Sequence, residues 1–146
     1  MPNNGGAPLP LDAKGFNLIE LMVVLAVLAA LFAIAIPNYY AMEARAQEAS
    51  TEANMYDFQM AVIHFSVEHA GLYPTPADDA EILQGMHAGQ YPENPFTNSN
   101  QPWVWGNPGG VPGTIGSTAA PGGYPAGYTI WGMGRFGQLP LVLRSG

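Results

Sequence analysis

The chain of 146 residues is long enough for one domain of ordinary size, and it carries a net charge of −7. All 11 acidic residues lie at or before Glu93, and an acidic chain with four basic residues is, as a single subunit, a poor electrostatic partner for nucleic acid. There is no cysteine, which excludes a disulfide.

Residues 1–15, MPNNGGAPLPLDAKG, are rich in proline, glycine and asparagine and lack periodicity. We interpret them as a disordered leader peptide. An apolar segment follows from Phe16 to Ile36, in which Asn17 and Glu20 are the two polar residues. As a helix it would be roughly 32 Å long, about the thickness of the hydrocarbon core of a bilayer. Residues 16–37 are therefore predicted to form a transmembrane or assembly helix.

A proline closes this segment. Pro37 lacks a backbone N–H and its ring clashes one turn back, so a kink or a break is expected there. Residues 38–70 are predicted to continue as an amphipathic helix, which Gly71 is expected to end. The apolar stripe expected to face the core consists of Ala49, Ala53, Tyr56, Met60, Ile63 and Val67.

Residues 71–146 are predicted to form a globular head that starts with a short helix. Thr75 can cap this helix, Pro76 suits its first position, and Asp78 can complete a capping box. Gly85 can end the helix.

The rest of the head is predicted to consist of loops followed by two strands. Glycine and proline make up half of residues 102–127, which indicates turns. The stretch GYTIWGMGRFGQLPLVL predicts two strands around residues 134–137, with an edge or a bulge at Pro140. The predicted fold is α+β and lollipop-shaped: a long N-terminal helix packed on a small antiparallel sheet with long Gly/Pro-rich loops.

The segment KGFNLIELMVVLAVLAALFAIAIPNYY resembles the N-terminus of type IV pilins and of the pseudopilins of type II secretion. The matching features are Lys-Gly before a cleavage point, an aromatic residue after it, Glu20 five residues into the product, a long apolar run and Pro37 near its end. A looser resemblance to the major pseudopilin covers GLYPT, EIL, YPENPF and GYTIWGMGRFG in the head.

The resemblance implies that a prepilin peptidase cuts after Gly15 and N-methylates Phe16. The precursor would wait in the inner membrane until the assembly machinery extracts it into an extracellular filament, a homopolymer with N-terminal helices at its core. Phe16, Glu20 and Pro37 would serve assembly. The resemblance also implies that Glu20 pairs with the Phe16 amine of a neighbouring subunit and so fixes the axial register. The alternative is that Glu20 lies at the headgroup level with no partner.

Other candidate sites have weaker support. His64 and His69 are about 140° apart around a helix, so they cannot share a metal from one face. The major pseudopilin typically binds calcium through acids in its C-terminal loop, and this chain has no acid after Glu93. We predict no cofactor and no metal site. No catalytic arrangement is visible, so the chain is not expected to be an enzyme.

Aromatic residues are dense in the last third of the chain. They are expected to pack the head against the helical stripe, and the alternative is that some are exposed as subunit contacts or an adhesive surface. They are Trp103, Trp105, Tyr124, Tyr128, Trp131 and Phe136.

Together these features favour a structural subunit of a type IV pilus-like filament. Motility, adhesion, DNA uptake and surface attachment are all compatible with such a filament. One alternative is a pseudopilin of a secretion system. The missing C-terminal acids and the LPLVL strand argue against this alternative. The other is a single-pass membrane protein whose head binds a ligand and does not polymerise.

Overall fold

The structure is a computed structural model that describes residues 17–100, 102–119 and 127–145. The predicted leader, with Gly15 and Phe16, lies outside the described residues. The chain divides into two compact units, Met1–Tyr39 (unit 1) and Tyr40–Gly146 (unit 2). Its helices are α1 (Leu18–Glu68) and α2 (Asp79–Gly85), and its strands are β1 (Trp103–Trp105), β2 (Ile115–Ala119), β3 (Tyr128–Gly134) and β4 (Gly137–Arg144).

The described part of unit 1 belongs to the first half of α1. Asn17 caps the helix, because its carbonyl accepts the N–H of Leu21 at 3.2 Å and its side chain accepts that of Ile19 at 3.2 Å. The helix continues through Pro37, so the break that the sequence allowed there is absent. A proline removes a single N–H from the ladder, and the remaining hydrogen bonds of the helix continue on both sides of it.

In unit 2, α1 turns a different face to the core than the sequence predicted. The buried positions are Ala44, Thr51, Asn54, Met55, Phe58, Ala61, Val62 and Phe65. The predicted stripe from Ala49 to Val67 is exposed instead. Two apolar series with helical spacing share these turns. The sheet covers the series that contains Phe58 and Phe65 and leaves the other series exposed.

Two local signals in the sequence are confirmed. Gly71 follows the end of α1 with φ 89°, and its N–H donates to the carbonyl of Ser66 at 2.8 Å, which closes the last turn. Ahead of α2, the Asp78 carboxylate accepts the Thr75 N–H at 2.8 Å and the Thr75 hydroxyl at 2.7 Å. The first turn, Pro76–Asp78, is a 3-10 helix that leads into α2.

The four strands form one sheet in the order β1-β2-β3-β4. The pairs β2–β3 and β3–β4 are antiparallel, whereas β1 and β2 are parallel. The predicted small antiparallel sheet is present as β2–β4, and β1 adds a parallel pair to it. The prediction of loops without strands in residues 102–127 was wrong. Prolines 102, 108 and 112 lie just outside β1 and β2, so they do not interrupt these two short strands.

The predicted C-terminal hairpin is confirmed as β3 and β4. Trp131 pairs with Val142 and Met133 with Gln138, so β4 carries extra residues between these two pairs. Pro140 lies within this irregularity on the edge strand, as predicted. The sheet covers the buried face of α1 and completes the α+β fold, with Met55, Phe58, Ile115 and Ile130 at the centre of the core.

Candidate assembly surfaces

The apolar first half of α1 is not covered by any other part of the described chain. Every residue from Asn17 to Glu43 is exposed, with Leu18 at 71% and Ile34 at 68%. Within the described residues, one helix is long and apolar enough to cross a membrane, and its qualifying window lies near the N-terminus and is not buried. In water this surface would be strongly unfavourable, so it requires lipid or protein around it.

Glu20 lies within this apolar surface. Its side chain is exposed, between Ile19 and Leu21, which are 67% and 48% exposed. Among the described residues, the Glu20 carboxylate has no hydrogen bond and no ion pair. Phe16, whose amine is its predicted partner, lies outside the described residues, so the pairing stays a prediction.

A second apolar surface lies on α1 within unit 2. We call it the outer stripe: Ala49, Ala53, Tyr56, Met60, Ile63 and Val67. Met60 is 66% exposed and Val67 78%. Val67 is nine residues from the buried Phe58, which places it about 180° around the helix. This half of α1 therefore has two apolar faces, and the sheet covers one of them.

A third surface lies where the β3–β4 hairpin meets the start of unit 2. We call it the base surface: Tyr40, Ala44, Arg45, Glu48, Arg135 and Phe136, which line one groove. The backbone N–H of Arg135 donates to the Glu48 carboxylate at 3.2 Å. Phe136 is 91% exposed at the hairpin tip, and the Arg135 guanidinium carbon lies 6.0 Å from its ring centroid.

The aromatic residues divide between the two predicted roles. Trp103 and Tyr128 are buried on the core face of α1, where the Tyr128 hydroxyl accepts a hydrogen bond from Gln59 at 2.8 Å. Trp105 and Trp131 are half-buried, and Phe136 is exposed. The sixth, at position 124, lies outside the described residues. Packing was thus the right expectation for some, on the opposite helix face to the predicted stripe.

Some histidines and acids of the head have structural neighbours. His69 stacks on Phe65, with ring centroids 4.0 Å apart, and its Nε2 lies 3.4 Å from the Glu81 carboxylate, so it links α1 to α2. Asp79 accepts a hydrogen bond from the Trp105 indole at 3.2 Å. Within the described ranges, no group of three histidine or acidic side chains could hold a metal.

Tyr91 packs beside the same acid. Its hydroxyl donates to the Asp79 carbonyl at 3.4 Å. Burial, together with Asp79, raises the pKa of Tyr91 well above its ordinary value. The hydroxyl stays protonated, and its hydrogen bond links residue 91 to the start of α2.

Comparison with known proteins identifies a relative among the type IV pilins. The type IV major pilin protein PilA of Myxococcus xanthus (strain DK1622) is 45% identical over 42 residues, which are 29% of this chain and 19% of that protein. No family model matches the chain. No solved structure matches it. Together with the long apolar N-terminal helix, the similarity to PilA confirms the resemblance to type IV pilins.

Proposed function

We propose that this chain, which is related to the type IV pilins, is the structural subunit of an extracellular filament built from its own copies. One observation carries the proposal: among the described residues, two apolar surfaces of α1 are left without cover. They are the segment of residues 18–36 and the outer stripe. Contiguous apolar surface of this extent is rare on soluble monomers and is typical of proteins that meet a membrane or a partner.

In the proposed precursor, the inner membrane covers the first surface, because residues 18–36 have the length and composition of a membrane span. In the filament, the same segments of neighbouring copies replace the lipid. The outer stripe offers them a second apolar surface, which would contribute roughly 25 cal/mol for each Å² buried. A contact between two different surfaces of identical copies produces an open helical filament when its rotation does not close a ring.

Processing belongs to the same proposal. A prepilin peptidase would cut after Gly15 and methylate the new amine of Phe16. The resulting cation could then pair with Glu20 of a neighbouring copy. An unpaired carboxylate among apolar helices costs several kcal/mol, on the order of 3–5 when a buried pair is broken. Such a pair would therefore favour the axial register in which both charges are neutralised.

Electron microscopy of material sheared from the cell surface tests the proposal, combined with mass spectrometry to identify the subunit. We expect long filaments that contain this chain. Short filaments confined to the periplasm would favour the pseudopilin alternative instead. A chain that stays in the membrane fraction and never polymerises would contradict the filament function and favour a single-pass protein with a binding head.

A further inference from the structure

We propose that, before assembly, the base surface docks on the anionic phospholipid headgroups of the membrane that holds the N-terminal segment. The inference rests on the proposed function to the extent that it needs residues 18–36 to span a bilayer. It adds a role for the head, namely that the hairpin tip with Arg135 and Phe136 contacts the membrane surface while the subunit waits there.

Chain connectivity brings the base surface to the membrane. Tyr40 is the first residue of unit 2 and is joined directly to unit 1, whose apolar segment would lie in the bilayer. Tyr40 lines the same groove as Arg45, Arg135 and Phe136. The groove therefore contains the residue with which unit 2 follows the apolar segment in the chain.

The side chains in the groove match the chemistry of a lipid headgroup layer. Phe136, at 91% exposure, can enter the boundary between headgroups and acyl chains. Arginine binds phosphate groups through two parallel N–H donors. Within the described residues, neither Arg45 nor Arg135 has its guanidinium in an ion pair, so both are available to lipid phosphates.

The charge distribution of the head also favours the base surface as the part that meets an anionic membrane. From Tyr40 onward the chain has nine acidic residues and three arginines, so an anionic membrane repels most of the head. The base surface holds two of the three arginines, with Glu48 in the same groove and Glu43 in the groove beside it. It is thus close to neutral, and the Glu48 carboxylate is already engaged by the Arg135 N–H.

The hairpin presents Phe136 on a firm support. A Cβ at Gly134 would lie 2.8 Å from the Glu48 carboxylate, so β3 packs closely against α1 at this point. Gly137, with φ 139°, makes the tight turn that follows Phe136. The hairpin tip is therefore a tight turn close to α1, and it exposes the Phe136 side chain.

A single fluorescent label can test the docking, because the chain has no cysteine of its own. The label is placed on Gln138→Cys, an exposed position beside the hairpin tip. The full chain is reconstituted in vesicles of phosphatidylglycerol or phosphatidylcholine that carry a quencher on the headgroups. We expect strong quenching in phosphatidylglycerol. A label on Gln84→Cys in α2, roughly 25 Å further along the head, should be quenched little.

The variants follow from the proposed contacts. Removing one arginine, by Arg45→Gln or Arg135→Gln, should lower the ratio of docked to undocked head about fivefold in phosphatidylglycerol. Phe136→Ser should also reduce quenching. Leu72→Ser is the matched control, because it removes another exposed apolar side chain, 41% exposed and outside both the base surface and the outer stripe, and should leave the quenching unchanged.

Flotation of the vesicles tests the membrane span separately from the docking of the base surface. If the chain floats with the vesicles but the Gln138 label is quenched no more than the Gln84 label, the docking is wrong while the membrane span stands. Equal quenching in both lipids, or no effect of Phe136→Ser, overturns the docking as well. If the chain does not float, the membrane precursor and the docking fail together.

Discussion

The ring of Phe58 on α1 stacks on the ring of Trp103 on β1, with centroids 3.3 Å apart and an interplanar angle of 23°. This contact joins the helix to the sheet at the centre of the core, where Phe58 is 1% exposed. Ile63 lies on the outer stripe and is 40% exposed. Phe58 and Ile63 therefore have opposite roles, one in folding and one on a surface left free for a partner.

The first prediction compares these two positions on α1. Phe58→Ala removes a ring from a packed core and should lower the free energy of unfolding by about 3–5 kcal/mol. Ile63→Ala, a truncation on the same helix, should cost less than about 1 kcal/mol. Denaturant unfolding of the chain in detergent measures both. Equal losses would mean that the outer stripe is covered within the chain itself.

The outer stripe should matter for assembly more than for folding. Met60→Ser removes an apolar side chain that is 66% exposed, so the melting temperature should stay close to that of the parent chain. The yield of sheared filaments should fall, because a polar group would replace an apolar contact between copies. Val111→Ser, 49% exposed and outside the outer stripe, is the matched control and should leave the yield unchanged. A normal filament yield from Met60→Ser would exclude the stripe from the subunit interface.

The head should hold together without a metal. Asp79 already accepts a hydrogen bond from Trp105, and His69 lies beside Glu81, so these polar groups have protein partners. A chelator should therefore leave the melting temperature unchanged in a thermal scan. A large decrease would reveal a bound cation and would move the protein toward the calcium-binding pseudopilins.

Processing gives a prediction that mass alone can check. The mature chain should begin at Phe16 and carry one added methyl group. Gly15→Leu should block the cut, because a bulky side chain beside the scissile bond would obstruct the peptidase. Retention of residues 1–15 in assembled filaments would contradict this prediction.

Local chemistry made several features predictable from the sequence. The carboxylate at Asp78 returns to Thr75, and the left-handed conformation at Gly71 suits glycine, so both helix boundaries could be anticipated. The β3–β4 hairpin was also predictable, since it pairs neighbouring segments and places Pro140 on an edge strand.

Features that depend on tertiary packing were not predictable in this way. The parallel pairing of β1 with β2 joins segments separated by a loop, and the Gly106 N–H donates to Ser117 at 2.7 Å. Gly116 permits this arrangement, because a Cβ there would collide with the Gly106 carbonyl and with Pro108. The buried face of α1 was missed for a related reason. Helical spacing alone does not distinguish the face that the sheet covers from the one left for a partner.

The base surface illustrates the same limit of sequence patterns. Arg45 and Arg135 are far apart in the chain, and the packing of the hairpin on α1 brings them to one groove. The density of aromatic residues near the C-terminus was the one signal in the sequence that pointed to Phe136 as an exposed residue.

The central claim is that Glu20 serves filament assembly and has little part in holding the subunit in the membrane. Glu20→Ala removes a charge that costs about 2.5–3.5 kcal/mol to insert, so the precursor should enter the membrane at least as well as before. It also leaves the Phe16 amine of a neighbour unpaired. This loss, about 3–5 kcal/mol, corresponds to a decrease of roughly 100-fold or more in the association constant.

The ratio of sheared filament to membrane-bound subunit, measured in the parent chain and in both Glu20→Ala and Glu20→Gln, tests this claim most directly. With processing at Gly15 verified in each variant, we predict that filaments become rare in Glu20→Ala while membrane-bound subunit accumulates. Glu20→Gln should give an intermediate ratio, because it keeps a hydrogen-bond acceptor and loses the charge. A normal ratio in Glu20→Ala would contradict the register role and would leave Glu20 as a carboxylate at the headgroup level without a partner.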